Sequence, residues 1–254
     1  MNQQRKITML PKEIDMKQIT TSDMKSLGQQ GAKIMYLNYG EQPNSSPIII
    51  QTPTMGLLWD SNFFADNNEG NGKISCKLNF KGFESNNDIN EFKEKMEEFD
   101  QYLINLAVSN SKKWFSGKSL SKDTIEQLYT PMVKYSMNNE TGEVNTQFAP
   151  SFAFKITQKN SKFNCKYFNE ERVIQNINDP NKEDFVDINQ LLKRGNNIST
   201  LLVCNGLWFA AGKFGCTWKA EQIKGQMVNK ANLDDYAFRD NDDDEEEFIS
   251  DNDE

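Results

Sequence analysis

ISTLLVCNGLWFA (198–210) and KFGCTWKAEQIKG (213–225) are two strand-like runs joined by Ala211 and Gly212. The first is nearly continuous in apolar residues. In the second, Phe214, Cys216, Trp218 and Ala220 alternate with Lys213, Thr217, Lys219 and Glu221. Successive side chains of a strand point to opposite faces, so this period of two marks a strand buried on one side. The pair reads as two adjacent strands with a tight turn between them.

Working outward, the same alternation recurs. In KISCKLNFKGF (73–83), Ile74, Cys76, Leu78 and Phe80 take one face, and Lys73, Ser75, Lys77, Asn79 and Lys81 the other. SFAFKITQK (151–159) sets Phe152, Phe154 and Ile156 against Lys155, Thr157 and Lys159. SKFNCKYF (161–168) sets Phe163, Cys165 and Tyr167 against Lys162, Asn164 and Lys166, and NSK (160–162) between the two runs marks a hairpin. IIIQ (48–51) and TMGLLWD (54–60) read as short strands broken at Pro53. KIMYLNY (33–39) adds a strand, and ERVIQNI (171–177) an edge strand.

Residues 88–110 change period. Phe92, Met96, Phe99, Leu103 and Leu106 form one helical stripe, with Asp88 as the expected N-cap, Glu91 completing a capping box, and Glu91, Glu94, Glu97 and Glu98 facing away. SKDTIEQLY (121–129) is a shorter helix capped by Ser121 and stopped by Pro131. Short antiparallel strands in two groups, with one good helix between them, suit a small barrel or sandwich rather than alternating βαβ units.

Charge divides the chain. Of 254 residues, 29 are Lys or Arg and 37 Asp or Glu, a net −8. Residues 234–254 hold twelve of the acids and one Arg, which leaves residues 1–233 with 25 acids and 28 bases, a net +3. A mildly basic body therefore carries an acidic tail that lacks the apolar surface to fold. The organisation expected is a poorly ordered N-terminal arm (1–30), a β domain (31–230) and a disordered acidic tail (234–254). Asp242, Asp243, Asp244, Glu245, Glu246 and Glu247 run up to Phe248, an exposed aromatic that solubility alone does not require. Such an arm competes with an anionic ligand or recruits basic partners.

There is no histidine. That removes Ser-His-Asp and Cys-His hydrolases, HExxH zinc proteases and facial-triad iron enzymes. Cys76, Cys165, Cys204 and Cys216 have no CxxC spacing and read as small buried hydrophobes, so no metal or cofactor is expected. FSGKSL (115–120) ends like a phosphate loop, but Lys112 stands where its first glycine should be. No apolar run reaches membrane-spanning length and no signal core opens the chain, which points to an intracellular, non-catalytic protein.

What repeats is lysine on the open face of strand after strand: Lys77 and Lys81, Lys155 and Lys159, Lys162 and Lys166, Lys213 and Lys219. Lys112 and Lys113 stand beside Trp114. Lysines along a groove track phosphates, and ring faces stack on unpaired bases. Trp59 and Trp114, at element ends beside polar residues, are the expected stacking residues. Trp208 and Trp218 read as core.

Three features together resemble the replicative OB-fold single-stranded DNA-binding proteins with acidic C-terminal tails of podophages and nucleocytoplasmic large DNA viruses. They are the strand pair LLVCNGLWFAAGKFGCTWKAEQIK (201–224), the helix between strand groups, and the tail DNDDDEEEFISDNDE (240–254). The resemblance implies a mainly β fold: an OB-fold-like Greek-key barrel with one long inserted helix. It implies sequence-independent binding of single-stranded DNA in replication or recombination, at a viral replication site in host cytoplasm or nucleus. It implies tail contacts with replication proteins such as polymerase or helicase/primase. In the phage members the tail ends in an aromatic residue, whereas here Phe248 is followed by ISDNDE. The sequence leaves a homodimer open. A viral structural or scaffold β protein and an acidic-tailed chaperone of basic proteins are the rival readings.

Overall fold

The structure, a computed structural model, describes residues 8–28, 31–66 and 70–226. Five strands make its centre: β1 (Met55–Leu57), β2 (Gly72–Asn79), β3 (Ser151–Lys159), β4 (Asn197–Ala210) and β5 (Lys213–Gln226). β2 pairs antiparallel with β1 on one side and β3 on the other. β3 meets β5 in parallel at Lys155↔Lys219. β5 runs antiparallel to β4 along its length, and β4 returns to β1 at Ile198↔Met55. The order β1-β2-β3-β5-β4-β1 is a closed ring, so the core strands have no free edge. The chain is mainly β, and the expected OB-fold-like Greek-key barrel is borne out.

The alternation read from the sequence places the core. Ile74, Cys76 and Leu78 of β2 are buried, while Lys73, Ser75 and Lys77 between them are half-buried on the outer face. Pro53 breaks the first strand as expected, with Ile49–Gln51 pairing to β4 before the break and β1 following it. In β4 the register slips between Cys204 and Gly206. Gly206 sits at φ +97°, and a Cβ there would lie 2.3 Å from the Met35 carbonyl oxygen. Only glycine fits this bulge.

Helix α1 (Asn87–Ser109) lies between β2 and β3 in the chain. Phe92 packs between Phe80 and Phe152, and Phe99 meets Trp218 edge-to-face at 5.9 Å. Each fully buried ring of this kind contributes about 2 kcal/mol. The N-cap is Asn86, whose Oδ1 accepts from the Asp88 and Ile89 amides, so Asp88 falls in the first turn instead. Leu106 is only half-buried; Ile89, Ile104 and Ala107 widen the buried stripe. Two shorter helices follow, α2 (Ser111–Trp114) and α3 (Lys122–Leu128), the latter capped by Ser121 as expected. Beyond α3, Tyr129–Thr130 pairs with β5 and Val133–Lys134 with β3. This segment fills the split where β3 and β5 diverge.

The expected loose arm does not extend over residues 8–28. Met9, Ile14, Met16 and Ile19 are buried in the core. The segment is built from two single-turn 3₁₀ helices and short strands, none long enough to show a period in sequence. Residues 1–7 and the whole acidic tail, including Asp242–Phe248, lie outside the described residues. Among the described residues no helix is long and apolar enough to cross a membrane.

Candidate nucleic-acid interface

The outer face of β2 and β3 carries the expected lysines in register. Ala153 stands opposite Lys77, Lys155 opposite Ser75, and Thr157 opposite Lys73. Lys155 also stands opposite Lys219. One row, Ser75–Lys155–Lys219, therefore crosses three strands at neighbour spacings of about 5 Å. Burial, and then the charge of Lys73, hold Lys155 below the usual lysine range. Among the described residues Lys73, Lys77 and Lys155 form no ion pair, whereas Lys219 meets Glu221 at 3.3 Å. Like charges side by side in a sheet are unfavourable without a counter-anion.

Aromatic residues flank this row on both sides. The strand Asn62–Ala65 pairs with β2 so that Phe64 stands opposite Lys73. Trp59 and Phe64, 53% and 50% exposed, line a cleft with Ser75 and Lys77. The Arg194 guanidinium lies over the Trp59 ring at 5.7 Å, and the Arg194 amide donates to Asp60 Oδ1 at 2.8 Å, which steadies this loop. On the other flank, half-buried Trp208 stands opposite Gly215. Its ring lies 3.1 Å from where a Gly215 Cβ would be, so the glycine lets the indole lie against the strand. Trp208, Lys134 and Thr217 line a second cleft that also includes Ser75, Lys77 and Lys155. Ser75 and Lys77 belong to both clefts, which makes one groove.

The far wall of the groove is held from inside. Asp100 of α1 is buried and accepts from Tyr129 Oη at 2.5 Å, the Met132 amide at 3.0 Å and the Val133 amide at 3.3 Å. Burial pushes its carboxyl up to about 6, against the pull of those three donors. Tyr135 donates to Glu97 one turn earlier on the helix. Together these bonds pin residues 129–135, which supply Thr130, Met132 and Lys134 to the groove.

The structure thus brings together Lys77, Lys155, Lys219 and Trp59. Lys159 and Lys162 face each other at the hairpin tip just past the Lys73–Thr157 row. Lys81 is exposed in the turn after β2. Lys112 and Lys113 are exposed on α2, and Lys213 donates to the Gln127 carbonyl of α3 at 2.8 Å; none borders the groove. Lys166 lies beside β5 opposite Gln222. Trp114 is a correction: it is 6% exposed and packed edge-to-face on Phe209, because α2 turns its indole inward, so it has no free ring face. Sequence reasoning missed Phe64 and Lys134, read Trp208 as core although it is half-buried on the outer face, and placed Lys73 on the open face without counting it among the site lysines. For Trp208 a signal existed, since the tight turn sets it opposite Gly215, whose parity is that of the outward lysines. All four cysteines are buried as expected, and burial pushes Cys76 and Cys165 up to about 12. Among the described residues no group of acidic, Cys or His side chains is arranged to hold a metal ion.

Residues 80–240 match the model of a family of unknown function, DUF5871. The chain belongs to this family. The DUF5871 match opens at Phe80, so it takes in α1, β3, β4 and β5, while Trp59, Ser75 and Lys77 precede it. No curated protein matches the chain in sequence. Among solved structures, the single-stranded DNA-binding protein of bacteriophage Enc34, in complex with single-stranded DNA, is similar at TM-score 0.42 and 8% identity, over 81% of this chain and 95% of that one. The single-stranded DNA-binding protein gp2.5 of bacteriophage T7 is similar at TM-score 0.38 and 11% identity, over 69% of this chain and 90% of that one.

Proposed function

We propose that this protein binds single-stranded DNA without sequence preference and shields it during replication or recombination. The observation that carries this reading is the set of lysines without an ion pair among the described residues, Lys73, Lys77 and Lys155, on the outer face of β2 and β3. Trp59 and Phe64 stand on one side of them, and Trp208 on the other. In an OB barrel the strand 2–3 face and its flanking loops are where oligonucleotides lie. Ammonium groups contact phosphates and indole faces stack on bases, two features every nucleotide has, so the recognition is independent of sequence. Stacking on a mildly basic groove suits single strands better than duplex, which calls for a strongly basic surface.

In this reading the protein is not an enzyme and uses no cofactor. The acidic tail competes with DNA for the groove as a second polyanion, and once displaced is free to reach basic surfaces of replication enzymes such as polymerase or helicase/primase. The setting is viral DNA replication. The test is tryptophan-fluorescence titration with oligo-dT, at two salt concentrations, of the full chain and of a truncation after Leu233. Quenching that weakens with salt, and tighter binding without the tail, are expected. Absence of binding by either form at low salt would overturn the reading.

A further inference from the structure

The outer surface of the sheet does not stop at the groove. Where β3 leaves β5, the strand Lys166–Phe168 takes its place on the same side. Lys166 then stands opposite Gln222, and Phe168 opposite Lys224. Tyr167 between them is buried, so Lys166 and Phe168 share the outer face. The result is a second shallow depression bordered by Phe168, Arg172, Lys224, Gln222 and Ser199. Arg172, Lys224 and Gln222 are exposed, and Phe168 and Ser199 half-buried. Neither Arg172 nor Lys224 forms an ion pair among the described residues.

We propose that this pad is a second contact site for the same single strand, taking the nucleotides that leave the groove past Lys219. The inference rests on the reading of the groove as a single-strand site. Lys219 and Lys224 are five residues apart on β5, an odd spacing that the register slip opposite Leu201 and Leu202 brings onto one face, about 16 Å along the strand, so the pad continues the phosphate track rather than standing apart from it. Its chemistry repeats that of the groove: two cations for phosphates, one aromatic ring, and the side-chain amide of Gln222 as a neutral hydrogen-bonding group. The Lys219–Glu221 ion pair stands at the junction and separates two sites on one path.

The experiment compares the wild-type full chain with the double variant R172A/K224A on two oligomers of dT. One is about 6 nucleotides long and fits the groove alone; the other is about 20 and spans both sites. The variant should bind the short oligomer as the wild type does, within about twofold. On the long oligomer its affinity should fall about tenfold at low salt. The slope of log affinity against log salt should flatten by about 1.4, the value for two lost phosphate contacts on a single strand. Equal affinities and equal slopes on the long oligomer would overturn the pad while leaving the groove intact. Equal losses on both oligomers would also overturn it, since the two cations would then belong to the groove itself. If the wild type binds neither oligomer, it is the groove reading that fails.

Discussion

Lys155 stands directly opposite Lys219 at the one register pair that joins β3 to β5. Lys219 is balanced by Glu221 at 3.3 Å, whereas Lys155 is held below the usual lysine range by burial first and by the charge of Lys73 second. For the bare fold the placement of Lys155 is unfavourable. It becomes favourable when an anion with several charges lies across the row.

Replacing Lys155 should therefore separate stability from binding. K155M removes a half-buried ammonium while keeping its stem packed, so the urea midpoint at pH 7 should rise. The proton affinity of Lys155 is lower folded than unfolded, so charging it works against the fold below its folded pKa, and that penalty fades as pH rises through the lysine range. The advantage of K155M should shrink at alkaline pH accordingly. Oligo-dT affinity should fall in the same variant. A lower midpoint together with unchanged affinity would contradict both expectations.

The tryptophans should divide by face rather than by sequence neighbourhood. W59A and W208A should each weaken oligo-dT binding by about 1–3 kcal/mol, with melting temperature little changed for W59A. W114A should do the opposite: about 3–5 kcal/mol of lost stability, from an emptied site against Phe209, with DNA affinity preserved in the folded fraction. Titration and thermal unfolding of the three variants check this, and weakened binding in W114A alone would reverse the assignment.

Asp100 gives a pH prediction. Its carboxyl is held near 6 in the folded protein against about 3.9 in an unfolded chain, so the folded state holds the proton more tightly. Its contribution to stability is full below the unfolded value and is lost as pH rises through about 6. Measured as the urea-stability difference between wild type and D100N, that loss should amount to about 2–3 kcal/mol between pH 4 and 6.5 and then level off. A difference that grows in favour of the wild type over the same window would mean that the donors Tyr129, Met132 and Val133 outweigh burial.

Gly206→Ala should be among the most damaging small substitutions in the chain. The added methyl would meet the Met35 carbonyl oxygen at 2.3 Å, at a positive φ that disfavours any side chain. A loss of about 3 kcal/mol or more is expected by chemical denaturation. A fall of less than about 1 kcal/mol would show that β4 can shed its bulge.

Much of this was legible in the chain because period two is a strong signal when one face is buried. The runs 73–79, 151–159 and 213–220 show it directly, and the lysines at 77, 155 and 219 fall on the face the alternation assigns to them. The barrel's closure was not legible, since it depends on strands three residues long and on long-range pairs such as Ile198↔Met55. Trp208 escaped because its strand reads as uniformly apolar, and the bulge at Gly206 breaks the alternation that would have placed it outside. Trp114 misled for the opposite reason: two exposed lysines precede a ring that one helical turn buries.

The segment 129–134 has a consequence for how the molecule moves. Its backbone pairings to β5 and β3 are only two residues long each, and between them the amides of Met132 and Val133 end on a carboxylate from another element. The seam of the barrel and the wall of the groove are the same few residues. Parting the seam and releasing what lies in the groove are then a single displacement, and an occupant bridging Lys134 and Lys155 acts as a clasp on the barrel itself. Amide hydrogen exchange at Met132 and Val133 should slow when oligo-dT is bound, while exchange deep in the β4–β5 ladder should stay as it was.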